Sequence, residues 1–459
     1  MKPTKKNTID LLSIIRDNLV KINFNFEKNS ALIAVSGGVD SIVLLEILTL
    51  LNIAGIVVHV DHGLRTNSAS DSDFVAREAE KRGHKFETER FDVFEIASQN
   101  KQSIEEAART VRYSYFEKIS RKYHADYIFL GHHENDQAET ILMNLIRGSG
   151  TSGLSGMKVF RDGMYLRPML FFSKQVIREY AFSRCLKYRE DDTNKDLRFL
   201  RNRIRNKLLP FLESYNPEIK NALSRTAVLL SADDDFFEKK IKKILSIIIE
   251  YQGKQSLSLD VRRLLSYHIA IQRRVLRLAL TKLGLSGGFL VIEELLRLLG
   301  AGNSKVHHIN NRLRVQSWSG KLYFSLEHFT PKFFNISLTK KGKWDLGSGT
   351  LSVTRGNYSD FERLLPLARK EVAVFDAKEL AESVIVRSIR SGDSFTPLGL
   401  HGHKKLSDFL IDEKYPAIFR HRVAVVESRG EIVWVVGMRT SEYCKVVNDT
   451  ETVVIMEFL

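Results

Sequence analysis

Cysteine and long apolar runs are both scarce in this chain of 459 residues. Its two cysteines, Cys185 and Cys444, cannot build a disulfide framework, a four-thiolate metal site or a Cys-x-x-Cys redox pair. No apolar run approaches the roughly 18 residues that span a bilayer, so an integral membrane protein is excluded. The basic amino terminus does not resemble a secretory signal, because Arg16 and Asp17 interrupt its apolar stretch. A cytoplasmic protein is expected.

Acidic residues are in the minority: 55 Asp and Glu stand against 70 Lys and Arg, which leaves a formal net charge of +15. Such an excess favours a polyanionic partner. At about 100–200 residues per domain, the length predicts two to four folded units and rules out a single small binding module.

The first part of the chain, residues 1–215, alternates short apolar runs with longer amphipathic stretches. This pattern predicts an α/β domain with a parallel sheet. Buried strands are predicted at 31–35, 53–60 and 127–130, and helices at 41–51, 70–82, 103–123 and 134–147. Each strand ends where a polar, motif-bearing loop begins, and ligands bind at such carboxyl ends in open α/β sheets.

The remainder divides into three parts. Residues 216–320 carry Leu, Ile, Arg and Lys at helical spacing, with 17 basic and 9 acidic residues, which predicts a basic helical domain without strands before about Leu313. Residues 321–383 form a strand-rich connecting region, with boundaries that the sequence leaves open. Residues 384–459 show short β runs around one helix-like stretch at 404–413, which predicts a small α+β domain.

The strongest motif, S-G-G-V-D-S, joins the first predicted strand to a helix. Adjacent glycines let backbone N–H groups close around phosphate oxygens, and the helix amino terminus adds the positive end of a dipole. Asp40 is placed either to hold Mg²⁺ against the phosphates or to pair with a cation. A plain Gly-Gly turn would explain only part of the string. The motif therefore predicts a nucleotide site formed by Ser36, Gly37, Gly38, Val39, Asp40 and Ser41.

Polar motifs also follow the other two predicted strands. H-V-D-H-G-L-R ends the second strand and brings His59, Asp61 and Arg65 to the same sheet edge. Two histidines three residues apart would suit zinc, but no third ligand of the right type follows nearby. Gly131 opens the loop after the third strand. We interpret His59, Asp61 and Gly131 as nucleotide contacts.

The loop after the third strand continues as H-H-E-N-D-Q-A-E-T. On a helix, Asp136 and Glu139 share a face, so two carboxylates point at one place. Such a pair suits a cationic amine substrate or Mg²⁺; the alternative is a solvated acidic helix start, which the helix dipole favours. A zinc-protease motif is excluded, because Gln137 stands where H-E-x-x-H requires its second histidine.

Basic residues cluster in two further segments. Arg109 and Arg112 are expected on one helix face, where they suit a leaving pyrophosphate or an RNA backbone; an ion pair between Glu105 and Arg109 is the structural alternative. The segment R-F-L-R-N-R-I-R-N-K-L-L-P contains Arg201 and Arg205. We interpret it as a stripe that tracks phosphates, although an amphipathic helix with a solvated basic face would also explain it.

The loop S-G-G-V-D-S resembles the pyrophosphate-binding loop of the N-type ATP pyrophosphatases, which are PP-loop, or adenine nucleotide alpha hydrolase-like, proteins. These enzymes split ATP into AMP and pyrophosphate while they adenylate a substrate oxygen. The chain has no Walker loop, G-x-x-x-x-G-K-[ST], so transfer of a γ-phosphate is less expected than transfer of an adenylyl group.

The ordered set of motifs is similar to the tRNA(Ile)-lysidine synthetase family. Besides the loops above, S-I-E-E-A-A-R, R-G-S-G-T-S-G and R-N-R-I-R-N-K-L-L-P carry the resemblance in the first domain. S-G-D-S-F-T-P-L-G at 391–399 and K-K-L-S-D-F-L at 404–410 are similar to that family's carboxyl-terminal RNA-binding domain. The candidate RNA contact there is H-G-H-K-K, with His401, Lys404 and Lys405, and an exposed loop is the alternative.

The resemblance implies a two-step reaction on the wobble cytidine of an isoleucine tRNA with a CAU anticodon. The cytosine C2 oxygen attacks the α-phosphate of ATP, with Mg²⁺ as the expected ion, and pyrophosphate leaves. The ε-amine of free L-lysine then attacks C2 and expels AMP. Asp136 and Glu139 would orient lysine and His133 would accept a proton.

The resemblance also implies a set of site residues. The expected catalytic residues are Asp40, Arg112, His133, Asp136 and Glu139, and the expected tRNA contacts are Arg109, Arg201, Arg205, Lys404 and Lys405. A homodimer is one assembly open to such a chain.

Three other functions fit parts of the sequence. A tRNA thiolase with the same type of loop would need catalytic cysteines or an iron–sulfur cluster, and Cys185 and Cys444 lack the spacing for either. A small-molecule ligase of the NAD or GMP synthetase type would not explain the basic helical domain. A non-enzymatic RNA-binding protein would leave the motifs from Ser36 to Glu139 unexplained.

Overall fold

The computed structural model describes residues 10–63, 68–190, 196–300, 305–326, 334–338, 341–346, 349–361, 370–400 and 402–459. Arg65, which was predicted to lie at the sheet edge, and His401, the candidate RNA contact, lie outside these ranges. The chain divides into two compact units between Glu238 and Lys239. Within the described ranges, no helix combines the length and the apolar character needed to cross a membrane.

The first unit alternates strands and helices. Its helices are α1 (Leu11–Lys21), α2 (Val39–Leu50), α3 (Ser68–Lys81), α4 (Val93–Asn100), α5 (Ile104–Tyr123), α6 (Glu134–Ile146), α7 (Thr151–Leu154), α8 (Lys174–Ser183), α9 (Leu200–Arg203) and α10 (Leu209–Glu213). A π-helical turn, Ile204–Leu208, joins α9 to α10. Its strands are β1 (Ala31–Ala34), β2 (Gly55–Asp61), β3 (Lys85–Arg90), β4 (Tyr127–Leu130), β5 (Phe160–Arg161) and β6 (Tyr165–Leu166).

These strands form one sheet in the order β3-β2-β1-β4-β6-β5, which is parallel except for the β5–β6 pair. Successive side chains of β1 point to opposite faces: Ile33 packs with Phe129 and the apolar residues of α1 and α2, whereas Leu32 packs with Phe116 of α5. Helices therefore cover both faces, and the predicted α/β domain with a parallel sheet is confirmed.

The strand order creates a crevice at one edge of the sheet. From β1 the chain moves outward through β2 to β3, and it then returns to the other side of β1 for β4. The loops after β1 and β4 therefore run to opposite sides, and such a switch point is where open α/β sheets bind ligands. The edge strand β3 was not predicted from the sequence, because K-F-E-T-E-R carries no apolar run.

The second unit contains mostly antiparallel strands. The long helix α11 (Ile219–Ile248) begins in the first unit. It precedes α12 (Val261–Leu265), α13 (Ile269–Lys282), α14 (Phe289–Gly300), α15 (Tyr358–Phe361) and α16 (Leu406–Asp412). The strands are β7 (Ile249–Gln252), β8 (Ser256–Asp260), β9 (Val306–His308), β10 (Arg314–Trp318), β11 (Lys321–Ser325), β12 (Asn335–Leu338), β13 (Gly342–Asp345), β14 (Thr350–Asn357), β15 (Val372–Asp376), β16 (Val384–Ser388), β17 (Ser394–Phe395), β18 (Lys404–Lys405), β19 (Ala424–Ser428), β20 (Glu431–Val435), β21 (Arg439–Thr440) and β22 (Thr452–Phe458).

The middle of the chain is less purely helical than the sequence predicted. The expectation of no strands before about Leu313 is wrong, because β7, β8 and β9 belong to a sheet in the order β7-β8-β11-β10-β9. Helices α11, α13 and α14 pack on this sheet in one core. The predicted boundary at 320 separates β10 from β11, which are paired strands. We propose that this domain extends to Leu326.

The last part of the chain is a sandwich of two sheets. One has the order β12-β16-β19-β20-β21 and the other β13-β14-β22-β15, and both contribute to a core around the buried Trp434. Helix α16 packs on the first of these sheets through Phe409, which contacts Phe395. The helix predicted at 404–413 is thus found, with Lys405 at its amino-terminal cap.

A buried ion-pair cluster ties the S-G-D-S-F segment to this sandwich. Arg387 is only 5% exposed, and its Nη1 and Nη2 donate to Asp393 at 2.9 and 3.0 Å while its Nε donates to Glu427 at 2.6 Å. Replacing Arg387 with alanine leaves two half-buried to buried carboxylates without their cation. We expect the free energy of unfolding of this domain to fall by about 3–5 kcal/mol in urea denaturation.

The matched control is Arg390→Ala, which removes an exposed guanidinium from the same segment. Its effect should stay within about 0.5 kcal/mol. Equal destabilisation by the two variants would contradict the structural role of the Arg387 cluster.

Candidate active site

A cavity of about 690 Å³ opens at the carboxyl edge of β1, β2 and β4. Its size is typical of ligand pockets, which range over about 300–1,000 Å³. The loops after these three strands and the segment around α9 contribute its walls. Most residues predicted from the sequence line it: Ser36, Gly38, Val39, Asp40, Ser41, His59, Asp61, Arg112, Gly131, Asp136, Arg201 and Arg205.

The loop after β1 is built for close approach of an anion to the backbone. Gly37 has a φ of +88°, a conformation that favours glycine, and it shapes the turn without lining the cavity. The Ser41 hydroxyl donates to the Gly38 carbonyl at 2.9 Å and accepts from the Ser36 N–H at 3.2 Å. A Cβ on Gly131 would lie 3.3 Å from the backbone of Ser41, so only glycine leaves this contact unstrained.

Asp40 is paired with a lysine. Lys174 donates from Nζ to both carboxylate oxygens of Asp40, at 2.7 and 2.5 Å, and His133 Nε2 lies 3.6 Å from the same carboxylate. Asp40 was predicted either to hold Mg²⁺ or to pair with a cation, and in this structure it pairs with a cation.

Lys174 was missed in the sequence. It opens α8, whose amino terminus is capped by Ser173, and it lies just beyond β6 at the same edge of the sheet. The rule that ligands gather at the carboxyl ends of parallel strands would have found it, had the two-residue strand β6 been predicted.

The two carboxylates of α6 point to one place, as predicted, and two arginines meet them there. Arg201 donates to Glu139 at 2.7 Å and to Asp136 at 2.9 Å, and Arg205 donates to Glu139 at 2.6 Å. Burial alone would raise the pKa of the Asp136 carboxyl, but His133 and Arg201 outweigh burial and hold that pKa well below its usual range. Both carboxylates therefore face cations, so the solvated acidic helix start does not describe them.

Arg112, His62 and His132 also line the cavity. Arg112 Nη2 lies 3.4 Å from His62 Nε2, and burial lowers the pKa of Arg112. Burial and the charge of Arg112 lower the pKa of His62 to about 4, and burial lowers the pKa of His132 to about 3, so both imidazoles are neutral at pH 7.

The Nδ1 atoms of His62, His132 and His133 have no hydrogen-bond partner among the described residues. Buried polar atoms without partners are rare. His62 and His132 line the cavity, whereas His133 does not.

Comparison with known proteins identifies the family. Residues 11–212 match the family model of the PP-loop domain, and residues 384–456 match that of the TilS substrate C-terminal domain. A tRNA(Ile)-lysidine synthase of Clostridium acetobutylicum is 31% identical, over 97% of this chain and 97% of its own. The chain belongs to the tRNA(Ile)-lysidine synthase family. Synthases of this name from Caldanaerobacter subterraneus and Geobacter sulfurreducens are 31% and 32% identical, over 95% and 90% of each chain.

Membership of the tRNA(Ile)-lysidine synthase family confirms the resemblance seen in the motifs and identifies the chain as an enzyme of this type. It decides against the non-enzymatic alternative. The PP-loop domain makes ATP the co-substrate, and the TilS C-terminal domain makes tRNA the partner.

Some site residues predicted for this family lie away from the cavity wall. His133 and Glu139 are buried behind it. Arg109 is exposed, with its guanidinium 4.8 Å from the ring centre of Tyr113, so it diverges from Arg112, which points inward. Lys404 and Lys405 belong to the second unit, where Lys404 pairs with Asp412 at 2.5 Å.

Proposed function

We propose that the protein ligates L-lysine to C2 of the wobble cytidine in the CAU anticodon of tRNA(Ile), through an adenylated cytidine and with release of AMP and pyrophosphate. The lysidine formed would change decoding from AUG to AUA and charging from methionine to isoleucine. One observation carries this proposal: His133 Nε2 lies 3.6 Å from Asp40 and 3.5 Å from Asp136, so the phosphate-binding loop and the carboxylate pair adjoin in one site.

The first step would use the cations around the loop. As the C2 oxygen of cytosine attacks the α-phosphorus, negative charge develops on the leaving pyrophosphate, and Lys174 and Arg112 are placed to stabilise it together with the loop amides. Mg²⁺ takes one or two carboxylates plus substrate phosphates rather than a protein cage, and Asp40 is a carboxylate of that kind. Asp40 would hold the ion once Lys174 turns to the phosphates, and bound Mg²⁺ neutralises phosphate charge.

The second step would use the carboxylates of α6. Asp136 and Glu139 would bind an ammonium of lysine and orient its ε-amine, which must lose a proton before it attacks C2. His133 would accept that proton, and its Nε2 lies 3.5 Å from the Asp136 carboxylate that would bind lysine. AMP then leaves from C2.

The remaining contacts would be made with the tRNA. Exposed cations such as Arg109 and Lys405 suit phosphate contacts, which position an RNA without identifying its bases. We place the reaction in the cytoplasm, where tRNA is decoded, and the homodimer stays a prediction that analytical ultracentrifugation would check.

The test is a modification assay with ATP, Mg²⁺, radiolabelled lysine and a transcript of the CAU-anticodon isoleucine tRNA. The methionine CAU tRNA is the matched control substrate. Label should enter the isoleucine tRNA alone and should be lost in Asp40→Ala. Release of pyrophosphate that depends on RNA, without incorporation of label, would keep the adenylating loop and exclude lysine as the nucleophile.

A further inference from the structure

Two arginines occupy the place that the proposed function assigns to an ammonium of lysine. Every oxygen of the carboxylate pair already has a partner. Glu139 Oε1 accepts from Arg205 Nε at 2.6 Å, and its Oε2 accepts from Arg201 Nε at 2.7 Å. Asp136 Oδ1 accepts from Arg201 Nη2 at 2.9 Å, and its Oδ2 accepts from the backbone N–H of His133 at 3.0 Å.

An ammonium therefore cannot simply add to this cluster. The Glu139 side chain is 0% exposed, and buried charges are tolerated only when they are paired. Two guanidiniums already balance two carboxylates, so a further cation would be uncompensated. Lysine can bind here only as a guanidinium leaves.

The arginines are nevertheless accessible from the cavity. Their side chains are 26% exposed for Arg201 and 33% exposed for Arg205, and both line the cavity wall. They stand on the segment of α9 and the π-helical turn, which also presents Arg203 and Lys207 to solvent. A phosphodiester is the other strong, bidentate partner of a guanidinium, so an RNA backbone at this segment would compete directly for Arg201 and Arg205.

We propose that Arg201 and Arg205 couple the binding of the two substrates. RNA phosphates draw a guanidinium away from Asp136 and Glu139, and the vacated carboxylate oxygens then bind the ammonium of lysine. This inference rests on the proposed function, because it takes the carboxylate pair as the lysine site. Its consequence is an order of binding in which the nucleophile enters after the RNA that it modifies.

Thermodynamic linkage makes the coupling measurable in both directions. If RNA raises the affinity for lysine by some factor, lysine raises the affinity for RNA by the same factor. The wild-type protein is sufficient for this measurement. Leaving out ATP prevents the reaction, so that binding alone is observed.

The experiment is equilibrium dialysis of radiolabelled L-lysine against the full-length protein, with and without a saturating transcript of the CAU-anticodon isoleucine tRNA. We expect RNA to tighten lysine binding at least about tenfold, and saturating lysine to tighten RNA binding by the same factor. Lysine affinities that agree within about twofold with and without RNA would overturn the proposal.

Two variants on the same segment separate the role of the carboxylate-paired arginines from general basicity. Arg205→Gln leaves Glu139 paired with Arg201, so no carboxylate is left without a cation. Lysine should then bind the RNA-free variant more tightly than it binds wild type, and the coupling factor should fall towards one. Arg203→Gln removes an exposed charge from the same segment and should keep the wild-type coupling factor. Equal behaviour of the two variants would overturn the proposal.

Failure of this inference is distinct from failure of the proposed function. Incorporation of labelled lysine into the tRNA, with a lysine affinity that does not depend on RNA, would overturn the coupling and keep the function. No incorporation at any lysine concentration would overturn the function itself. If Arg205→Gln does not fold, as judged by circular dichroism, the reciprocal measurement on wild type decides.

Discussion

Replacing Lys174 with methionine should slow the release of pyrophosphate from ATP by about 10²–10³-fold, the usual cost of removing one preorganised group that stabilises transition-state charge. Lys174 lies at the cavity wall with its Nζ on Asp40, and an incoming triphosphate would offer it stronger acceptors. Its side chain is 28% exposed, so the substitution creates no buried cavity and the fold should persist. A pyrophosphate-coupled assay with the isoleucine tRNA measures the rate.

Two further variants make the result for Lys174 interpretable. Lys174→Arg keeps the positive charge and should recover part of the lost rate. Arg184→Met removes a charge at the far end of the same helix, outside the cavity, and should leave the rate within about threefold of wild type. If Lys174→Met and Arg184→Met release pyrophosphate at similar rates, Lys174 does not stabilise the transition state. Its role would then be structural only.

Replacing Glu139 with glutamine should strongly destabilise the first unit. The change keeps the size of the side chain but removes the charge that balances Arg201 and Arg205. Removing one partner from a buried ion pair costs about 3–5 kcal/mol. Arg201 and Arg205 are partly exposed and Arg201 keeps Asp136 as a partner, so we expect a loss at the low end of that range. Urea denaturation at neutral pH measures this loss of unfolding free energy.

The same variant should also separate the two steps of the reaction. Glu139 pairs with Arg201 and Arg205 and does not line the cavity. Release of pyrophosphate should therefore persist in protein that remains folded, while transfer of lysine is lost. The control for stability is Glu89→Gln, which breaks an exposed pair with Lys118 and should cost less than about 1 kcal/mol. Normal lysine transfer by Glu139→Gln would exclude this carboxylate from the lysine site.

The parts of the site that the sequence predicts are those encoded locally. S-G-G-V-D-S lies within a few residues of a strand and a helix, and the shared face of Asp136 and Glu139 follows from helical periodicity alone. Contacts between distant segments were not predicted. Lys174 is 134 residues from Asp40 in the chain, and Arg201 is 62 residues from Glu139. A cation that pairs with a buried carboxylate looks the same in a sequence as one that faces solvent.

In the fold, too, the elements with a strong local sequence signal were predicted and the others were not. The buried strands β1 and β4 were predicted to within one residue, because continuous apolar runs are a strong local signal. The edge strand β3 is polar, and β7 and β8 are short and lie next to helical segments. None of these three strands therefore has a sequence pattern that predicts it. Arg201 and Arg205 were interpreted as RNA contacts from their charge alone, and only the tertiary structure places them against Asp136 and Glu139.

The position of β22 in its sheet has a consequence for biosynthesis. This strand lies in the interior, between β14 and β15, although it is the last of them to be translated. Until the ribosome has made it, β14 and β15 each expose an unpaired edge, and such edges invite association with other chains. A premature stop codon shortly before Thr452 would therefore remove the centre of the sheet rather than its margin. We expect such a truncated product to be cleared by proteolysis or to aggregate, even though its catalytic unit is complete.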